Sequence, residues 1–434
     1  MNHVRRSLYS RLLAAATPLV IEPVMKAPYY SVLRWRRRFD QWTQEERDRW
    51  RDERLAEVLA HARAHTDFYR ERGDVPLAEL PIVDKHDLRD NRDRFLADDR
   101  EAIPTLSKGT SGSSGDPFRY PLDRLAWAHM YAAKLRFLEQ AGFHYGERIA
   151  VLGTPPALVG GGTSPKARLR RMLERQLPTA EDYEVGDEAA LRKARAAESR
   201  KAALWYGYAG SLVSMADAAL ATGAKIRGPR LILSSAERME PDWPARITAA
   251  FGCPVVNQYG ANDGGLLSQQ CEEGRFHLAQ NLSFVEVVDG EVVVTNLHQR
   301  SLPFIRYRIG DQAVLGDGPC PCGVPGPTLA SMEGRTGDRL HLPDRELSAL
   351  SFHSLFLGST GVRRFQVVQD EADHVKIRLE TLADFTPQEE QRILDYARTV
   401  CGPRVRVEVV SDEALELTPA GKLKMVVRHH QAAH

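Results

Sequence analysis

The stretch Leu106-Ser107-Lys108-Gly109-Thr110-Ser111-Gly112-Ser113-Ser114-Gly115-Asp116-Pro117 gathers small and hydroxyl-bearing residues into one run. Without bulky side chains, several backbone N–H groups can converge on one anion. Thr110, Ser111, Ser113 and Ser114 add hydroxyl donors, so the chemistry on offer is phosphate binding. The run ends in Gly115-Asp116-Pro117 rather than the Gly-Lys-Ser/Thr of a Walker loop. Glycines 109, 112 and 115 also have the wrong spacing for the dinucleotide fingerprint, and no serine sits in a Gly-x-Ser-x-Gly elbow. In isolation the run reads equally as a flexible linker.

A second constellation is Cys271, His277, Cys320 and Cys322. Cys320-Pro321-Cys322-Gly323 is a compact turn that can aim two sulfurs inward. Three thiolates and one imidazole suit tetrahedral Zn²⁺, and a full ligand set leaves no open position, which implies a structural role. We expect the hairpin at 284–295 to return the chain so that Cys271 and His277 meet this turn. The competing reading is three ordinary buried thiols. Cys253 and Cys401 read as isolated core residues.

These residues need a scaffold. The chain has 434 residues, 59 basic and 58 acidic, with 43% hydrophobic and 27% charged. Such a composition suits two or three globular domains. The charge balance makes no case for nucleic acid, and five cysteines are too few for a secreted disulfide framework. A cytoplasmic setting is expected. No apolar run reaches the roughly eighteen residues that span a bilayer. Leu12–Met25 follows Arg5, Arg6 and Arg11 like a loose signal peptide, but Pro18, Glu22 and Pro23 interrupt it, so we expect a packed N-terminal segment.

Residues 35–72 read as one or two amphipathic helices. Buried-strand signals at Ile149–Gly153, Arg230–Leu233 and Pro254–Asn257 alternate with helical Ala216–Thr222 and Pro241–Phe251, predicting βαβ units around a partly parallel sheet. Phe284–Val288, Asp289-Gly290 and Glu291–Thr295 predict a hairpin. Strand-like Arg364–Gln369, Val375–Leu379 and Val405–Val410, with a helix at Pro387–Val400, predict a small C-terminal α/β domain. The basic run Lys166, Arg168, Arg170, Arg171 and Arg175 reads as a solvated helix face, with CoA phosphate or an anionic lipid surface as the sharper reading. His429, His430 and His434 read as a frayed tail.

The Thr110–Pro117 run resembles the phosphate loop of the adenylate-forming superfamily of acyl-CoA synthetases. Asn257-Gln258-Tyr259-Gly260-Ala261-Asn262-Asp263 resembles its Asn-x-Tyr-Gly-x-Thr-Glu motif. Arg306-Tyr307-Arg308-Ile309-Gly310-Asp311 resembles its Tyr-x-x-Gly-Asp motif, Gly334-Arg335-Thr336-Gly337-Asp338 its hinge, and Gly421-Lys422 the motif of its catalytic lysine. Phe68-Tyr69-Arg70, Leu80–Lys85, Ser301–Arg308 and Phe365–Gln369 resemble the branch of phenylacetate-CoA ligase, coenzyme F390 synthetase and CapK. Several sequences of that branch also resemble this one at the four Cys/His positions.

The resemblance implies an α/β enzyme with a large N-terminal domain (1–337), a zinc-stapled β segment (271–322) and a small mobile lid (338–434) turning about Asp338. It implies AMP-forming activation of a carboxylic acid by ATP, then transfer to CoA or another thiol or amine. Residues 110–115 would hold the β- and γ-phosphates, and Lys422 would approach the α-phosphate. A lysine about 4 Å from a phosphate oxygen contributes roughly 4 kcal/mol at an effective dielectric near 20. Asp311 would accept the ribose hydroxyls, with Arg335 beside ribose and phosphate. Asn257 and Gln258, with Gly260, would border adenine, and Tyr259 would stack on the purine or pack in the core. Asp263 would bind Mg²⁺.

Three departures stand out: Asn262 and Asp263 replace the family's Thr/Ser and Glu, and Ala236 precedes Glu237 where relatives often have Gly. They keep open a different oxyanion, amide formation in a specialised biosynthetic pathway, or a degenerate scaffold. Trp205, Tyr206, Tyr208 and Ser211 are candidate walls for an aromatic acid, or core. The oligomeric state is left open, a homodimer being one option.

Overall fold

The computed structural model describes the chain except residues 1–6, 110–118, 153–164, 180–186, 236–238, 240–241, 262, 266, 334–338, 349–351, 353–360, 382–384, 412, 417–425 and 430–434. Two compact units divide it: residues 1–110, 119–181 and 193–334 form one, and 111–118, 182–192 and 335–434 the other.

In the larger unit, Thr105–Gly109 (β1) pairs antiparallel with Arg119–Asp123 (β2), bringing Gly109 opposite Arg119 at the two ends of the Gly/Ser run. An eleven-stranded sheet forms the frame. Its parallel half comprises Ile149–Leu152 (β3), Gln176–Thr179 (β4), Leu204–Gly207 (β5), Leu231–Ser235 (β6) and Val255–Gly260 (β7). The short apolar runs read from the sequence are β3, β6 and β7; β4 and β5 were not among them. Buried on both faces, β3 and β6 carry the continuous apolar composition of parallel strands, and Ile149, Val151, Leu204, Leu231 and Leu233 share a core with Leu138 and Phe143. Helices Arg124–Gln140, Ala209–Thr222 and Trp243–Phe251 supply neighbouring layers.

From β7 onward every pairing is antiparallel: Leu267–Gln270 (β8), Phe276–Leu278 (β9), Ser283–Val288 (β10), Glu291–Asn296 (β11), Tyr307–Leu315 (β12) and Thr328–Glu333 (β13). The sheet order is β10-β11-β12-β13-β9-β8-β7-β6-β5-β3-β4. The predicted hairpin is β10–β11, with Asp289 and Gly290 both at positive φ in its turn, and it lies at the sheet edge.

Helix Gln44–His65 opens with a reciprocal cap, the Thr43 side chain accepting from the Glu46 N–H while the Glu46 carboxylate accepts from the Thr43 N–H. The N-terminal segment is helical over Leu8–Met25 and packs as expected, Tyr9 donating to the Leu173 carbonyl at 2.6 Å. No helix among the described residues is long and apolar enough to cross a membrane.

The basic run is corrected by the structure. On helix Pro165–Leu173, Arg170 is 1% exposed and Arg171 is also buried. Arg170 pairs with buried Glu174 at 3.2 Å and lies over the rings of Trp127 and Tyr131. Glu174 further accepts from Tyr29 (2.8 Å), Tyr131 (2.7 Å) and Gln176 (2.9 Å). A buried charge persists only when paired and hydrogen-bonded, and these distant partners supply that.

In the smaller unit, Arg339–His341 (β14) pairs with Glu346–Ser348 (β15). Val362–Glu371 (β16), His374–Thr381 (β17), Arg406–Ser411 (β18) and Val426–Arg428 (β19) form a sheet in the order β18-β17-β16-β19. Helix Pro387–Cys401 covers it, burying Ile393, Ala397, Val400 and Cys401 against Val367, Val375 and Ile377. His429 is not frayed: it bonds Asp370 at 2.8 Å and Glu416 at 3.0 Å.

Candidate functional site

β7 carries Asn257, Gln258, Tyr259 and Gly260 out of the last parallel strand. The following turn reverses the chain into β8. Gly264 and Gly265 both hold positive φ there, and a side chain at 265 would run into the Asn296 amide. Asn296 donates to the Gly264 carbonyl at 3.1 Å, and the Ser283 hydroxyl to that of Gly265 at 3.1 Å. The turn bearing Asp263 is thus pinned onto strands far along the sheet.

Two tyrosine–carboxylate contacts result. The Tyr259 phenol donates to Asp311 Oδ2 at 2.5 Å, and the buried Tyr307 phenol donates to Asp263 Oδ2 at 2.6 Å. Asp311 lies on β12, separated from β7 in the sheet order by β13, β9 and β8. The antiparallel half therefore curls until its ends meet, which puts two motifs 52 residues apart in side-chain contact. Through its hydroxyl, Tyr259 holds Asp311.

Residues flanking the Gly/Ser run approach the same place. Tyr120, on the strand that follows the run, packs edge-on against Phe304, which packs likewise on Tyr307. Burial, and then the nearby Asp263 carboxylate, raise the Tyr120 phenol's pKa above its ordinary value. The segment Leu80–Lys85 joins this wall: Val83 N–H donates to the Arg306 carbonyl (3.1 Å) and Arg308 N–H to the Val83 carbonyl (2.8 Å). Arg306, at positive φ, donates to the carbonyls of Ala78 and Leu80 at 2.7 Å. Two branch-like motifs that are remote in sequence are one local structure.

Thr110, Ser111, Gly112, Ser113, Ser114, Gly115, Ala236, Glu237, Asn262, Arg335, Asp338 and Lys422 lie outside the described residues. Among the wall candidates, Trp205 is core, buried against Phe251 at 5.2 Å between ring centroids. Tyr206 is half-buried with Lys134 Nζ 3.9 Å above its ring. Sequence reasoning missed Lys134, since a lysine inside a helical pattern carries no signal of its own.

Cys271, His277, Cys320 and Cys322 come together, their ligand atoms all within 4.8 Å of one another. Cys271 Sγ and Cys320 Sγ are 3.6 Å apart, and Cys322 Sγ lies 3.2 Å from His277 Nε2. A tetrahedron with Zn–S bonds near 2.3 Å has edges of about 3.7 Å, so the donor set fits the metal. Burial, and next Arg275, hold the His277 pKa below its usual value, favouring the neutral imidazole a metal needs. The expected agent was wrong. The β10–β11 hairpin does not return the chain; the pairing of β9 with β13, His277 opposite Thr328, does. Cys253 and Cys401 are buried core thiols. A second cluster, His61, His65 and Asp99, is accounted for by hydrogen bonds of His61 with Asp99 and His65 with Asp98.

No family model matches the chain. CapK of Staphylococcus aureus is 24% identical over 244 residues, 55% of this chain and 54% of that protein, so the match spans about half the length of this curated relative. 2-Hydroxyisobutyryl-CoA ligase, solved with 2-HIB-AMP and CoA in its thioesterification state, is similar with a TM-score of 0.59 and 22% identity over 89% of this chain and 91% of that one. Its open conformation aligns with a TM-score of 0.53 and 21% identity, covering 88% and 92%. The chain has the fold of an adenylate-forming acyl-CoA ligase. That bears out the fold class read from the sequence.

Proposed function

We propose that the protein is an AMP-forming acid–thiol ligase: it activates a carboxylic acid with ATP as the acyl adenylate and passes the acyl group to CoA. The observation that carries this reading is the meeting of Asp311 and Asp263 with Tyr259 and Tyr307 inside a fold shared over nine-tenths of a CoA ligase. Asp311 would accept ribose hydroxyls while Tyr259 keeps the carboxylate oriented. Asp263 would offer a hard oxygen ligand to Mg²⁺, with Tyr307 fixing its rotamer. The run 110–115 would hold phosphates between β1 and β2, with Asn257, Gln258 and Ala236-Glu237 along adenine. Lys422, on a lid formed by 338–434 and turning at Asp338, would balance the charge that develops at the α-phosphate. Residues 1–337 would form the other domain. Cys271, His277, Cys320 and Cys322 would hold a structural Zn²⁺ joining the β8–β9 turn to the β12–β13 connection.

For the acid we keep an aryl or arylacetic acid of the phenylacetate-CoA-ligase type, although 2-hydroxyisobutyryl-CoA ligase shows that this fold also serves a compact aliphatic acid. The test is exchange of labelled pyrophosphate into ATP across a panel of carboxylic acids, then mass spectrometry with CoA and with amines. Exchange with aromatic acids and a thioester product supports the reading. Amide products alone would move the assignment to an amide synthetase, and no exchange with any acid to a non-catalytic scaffold. Lys422→Ala should cut exchange by about 10²–10³-fold with the fold intact; an unchanged rate removes Lys422 from the mechanism.

A further inference from the structure

The helical run Leu8–Met25 has two unlike faces. Ser10, Leu13, Thr17 and Ile21 are buried, four residues apart or nearly so. Between them Leu8, Leu12, Leu19, Val20 and Val24 are exposed, at 72%, 61%, 80%, 59% and 45%, with Ala15, Ala16 and Pro23 also exposed. A π turn over Thr17–Ile21 interrupts the α-helix. Its wider winding keeps a four-residue repeat on one face where a pure α-helix would let it drift. Helix Pro165–Leu173 adjoins this run through the Tyr9–Leu173 hydrogen bond and adds Leu169 (48%) and Met172 (66%) to the exposed apolar set. Large side chains in such a contiguous exposed array mark an interaction surface.

Charge identifies the occupant. The exposed ionic groups of the two segments are Arg11, Lys26, Lys166 and Arg168, with Arg175 lying over the Tyr9 ring. The acidic residues of these segments, Glu22 and Glu174, are buried and turned inward: Glu22 accepts from Tyr30 N–H and the Ser31 hydroxyl, and Glu174 pairs with Arg170. Among the described residues of these segments, the outer face is therefore apolar with cations and no carboxylate. A second copy of the chain would bring like charges together, whereas an anionic bilayer supplies acyl chains for the leucines and phosphates for the cations.

We infer that Leu8–Met25 and Pro165–Leu173 form an interfacial docking face for an anionic lipid bilayer, lying in the headgroup plane without crossing it. The inference does not depend on the enzymatic reading.

Flotation of the tag-free full chain with vesicles of equal phosphatidylglycerol and phosphatidylcholine tests it, against vesicles of phosphatidylcholine alone. The anionic vesicles should bind at least about tenfold more protein, with binding falling as salt rises. Leu12→Glu with Leu19→Glu should abolish flotation while leaving the circular dichroism spectrum and melting temperature unchanged, since both side chains point to solvent. Arg11→Glu with Arg168→Glu should abolish the preference for anionic lipid. No flotation, or equal flotation of the Leu12/Leu19 variant, overturns the inference. So does a dimer in sedimentation that the Leu12/Leu19 variant dissociates, which would assign the face to a second copy.

Discussion

The Tyr259 phenol reaches Asp311 Oδ2 at 2.5 Å across a sheet in which three strands lie between their own. The contact exists because the antiparallel half of the sheet curls back, with the Gly264-Gly265 turn accepting from Asn296 and Ser283. A hydrogen bond to a charged acceptor is worth about 1.5–3 kcal/mol. Tyr259→Phe should therefore raise the KM for ATP about tenfold in the exchange assay, with the melting temperature lowered by only a few degrees. Asp311→Asn should cost more, since the ribose ligand itself is altered. Unchanged ATP dependence in both would separate this pair from nucleotide binding.

Metal content should be one zinc per chain by elemental analysis, falling to none in Cys322→Ser. Chelation should lower the melting temperature of the wild type and leave that of the variant in place, because metal binding free energy is folding free energy for such a site. Cobalt substitution should show thiolate-to-metal absorption. Metal-free protein with an unchanged melting temperature would leave four ordinary side chains.

Acid lability should come from two stacked histidines. His129 and His298 lie 3.4 Å apart between ring centroids, both buried. Burial is the main cause of the lowered pKa of His298, about 3, with Arg36 and Arg54 adding to it; burial and then His298 lower that of His129. Because the folded value lies below the unfolded value of 6.5, the unfolded chain binds more protons between them. Stability is then fully present above pH 6.5 and is lost as pH falls towards 3, by up to about 1.4 kcal/mol per pH unit for each histidine. Urea midpoints measured from pH 7.5 to 4.5 should show this fall, and His298→Gln should flatten it.

Glu174→Gln should be severely destabilising. It strips the carboxylate from buried Arg170 and weakens bonds from Tyr29 and Tyr131. Breaking a buried pair from one side costs about 3–5 kcal/mol, to be read in urea unfolding. A double change to Arg170→Met and Glu174→Leu should recover part of that loss, because no charge is then left unpaired.

Three of the parallel strands (β3, β6 and β7), the Asp289-Gly290 hairpin and the two halves of the Cys/His cluster were legible in the chain because each rests on local information: short apolar runs, a positive-φ turn pair, ligand types a few residues apart. Superfamily motifs were legible as a series because their order survives in one dimension. Burial of Arg170 was not, since its partners Tyr29 and Tyr131 lie on other helices and a helix face full of cations looks solvated by itself. The same holds for His429, whose acceptors Asp370 and Glu416 come from two other segments.

What the sequence by itself determined is the inventory: a donor set for one metal, two motif carboxylates, a packed N-terminal segment, and several strands of known type. Only the tertiary structure decided which members meet. Strand β9 pairs with β13 rather than relying on the hairpin, and the curl of the sheet sets Tyr259 on Asp311. The reason is that residue type and spacing act over one turn or one strand, whereas sheet order and curvature follow from the packing of the whole unit, which no short window contains.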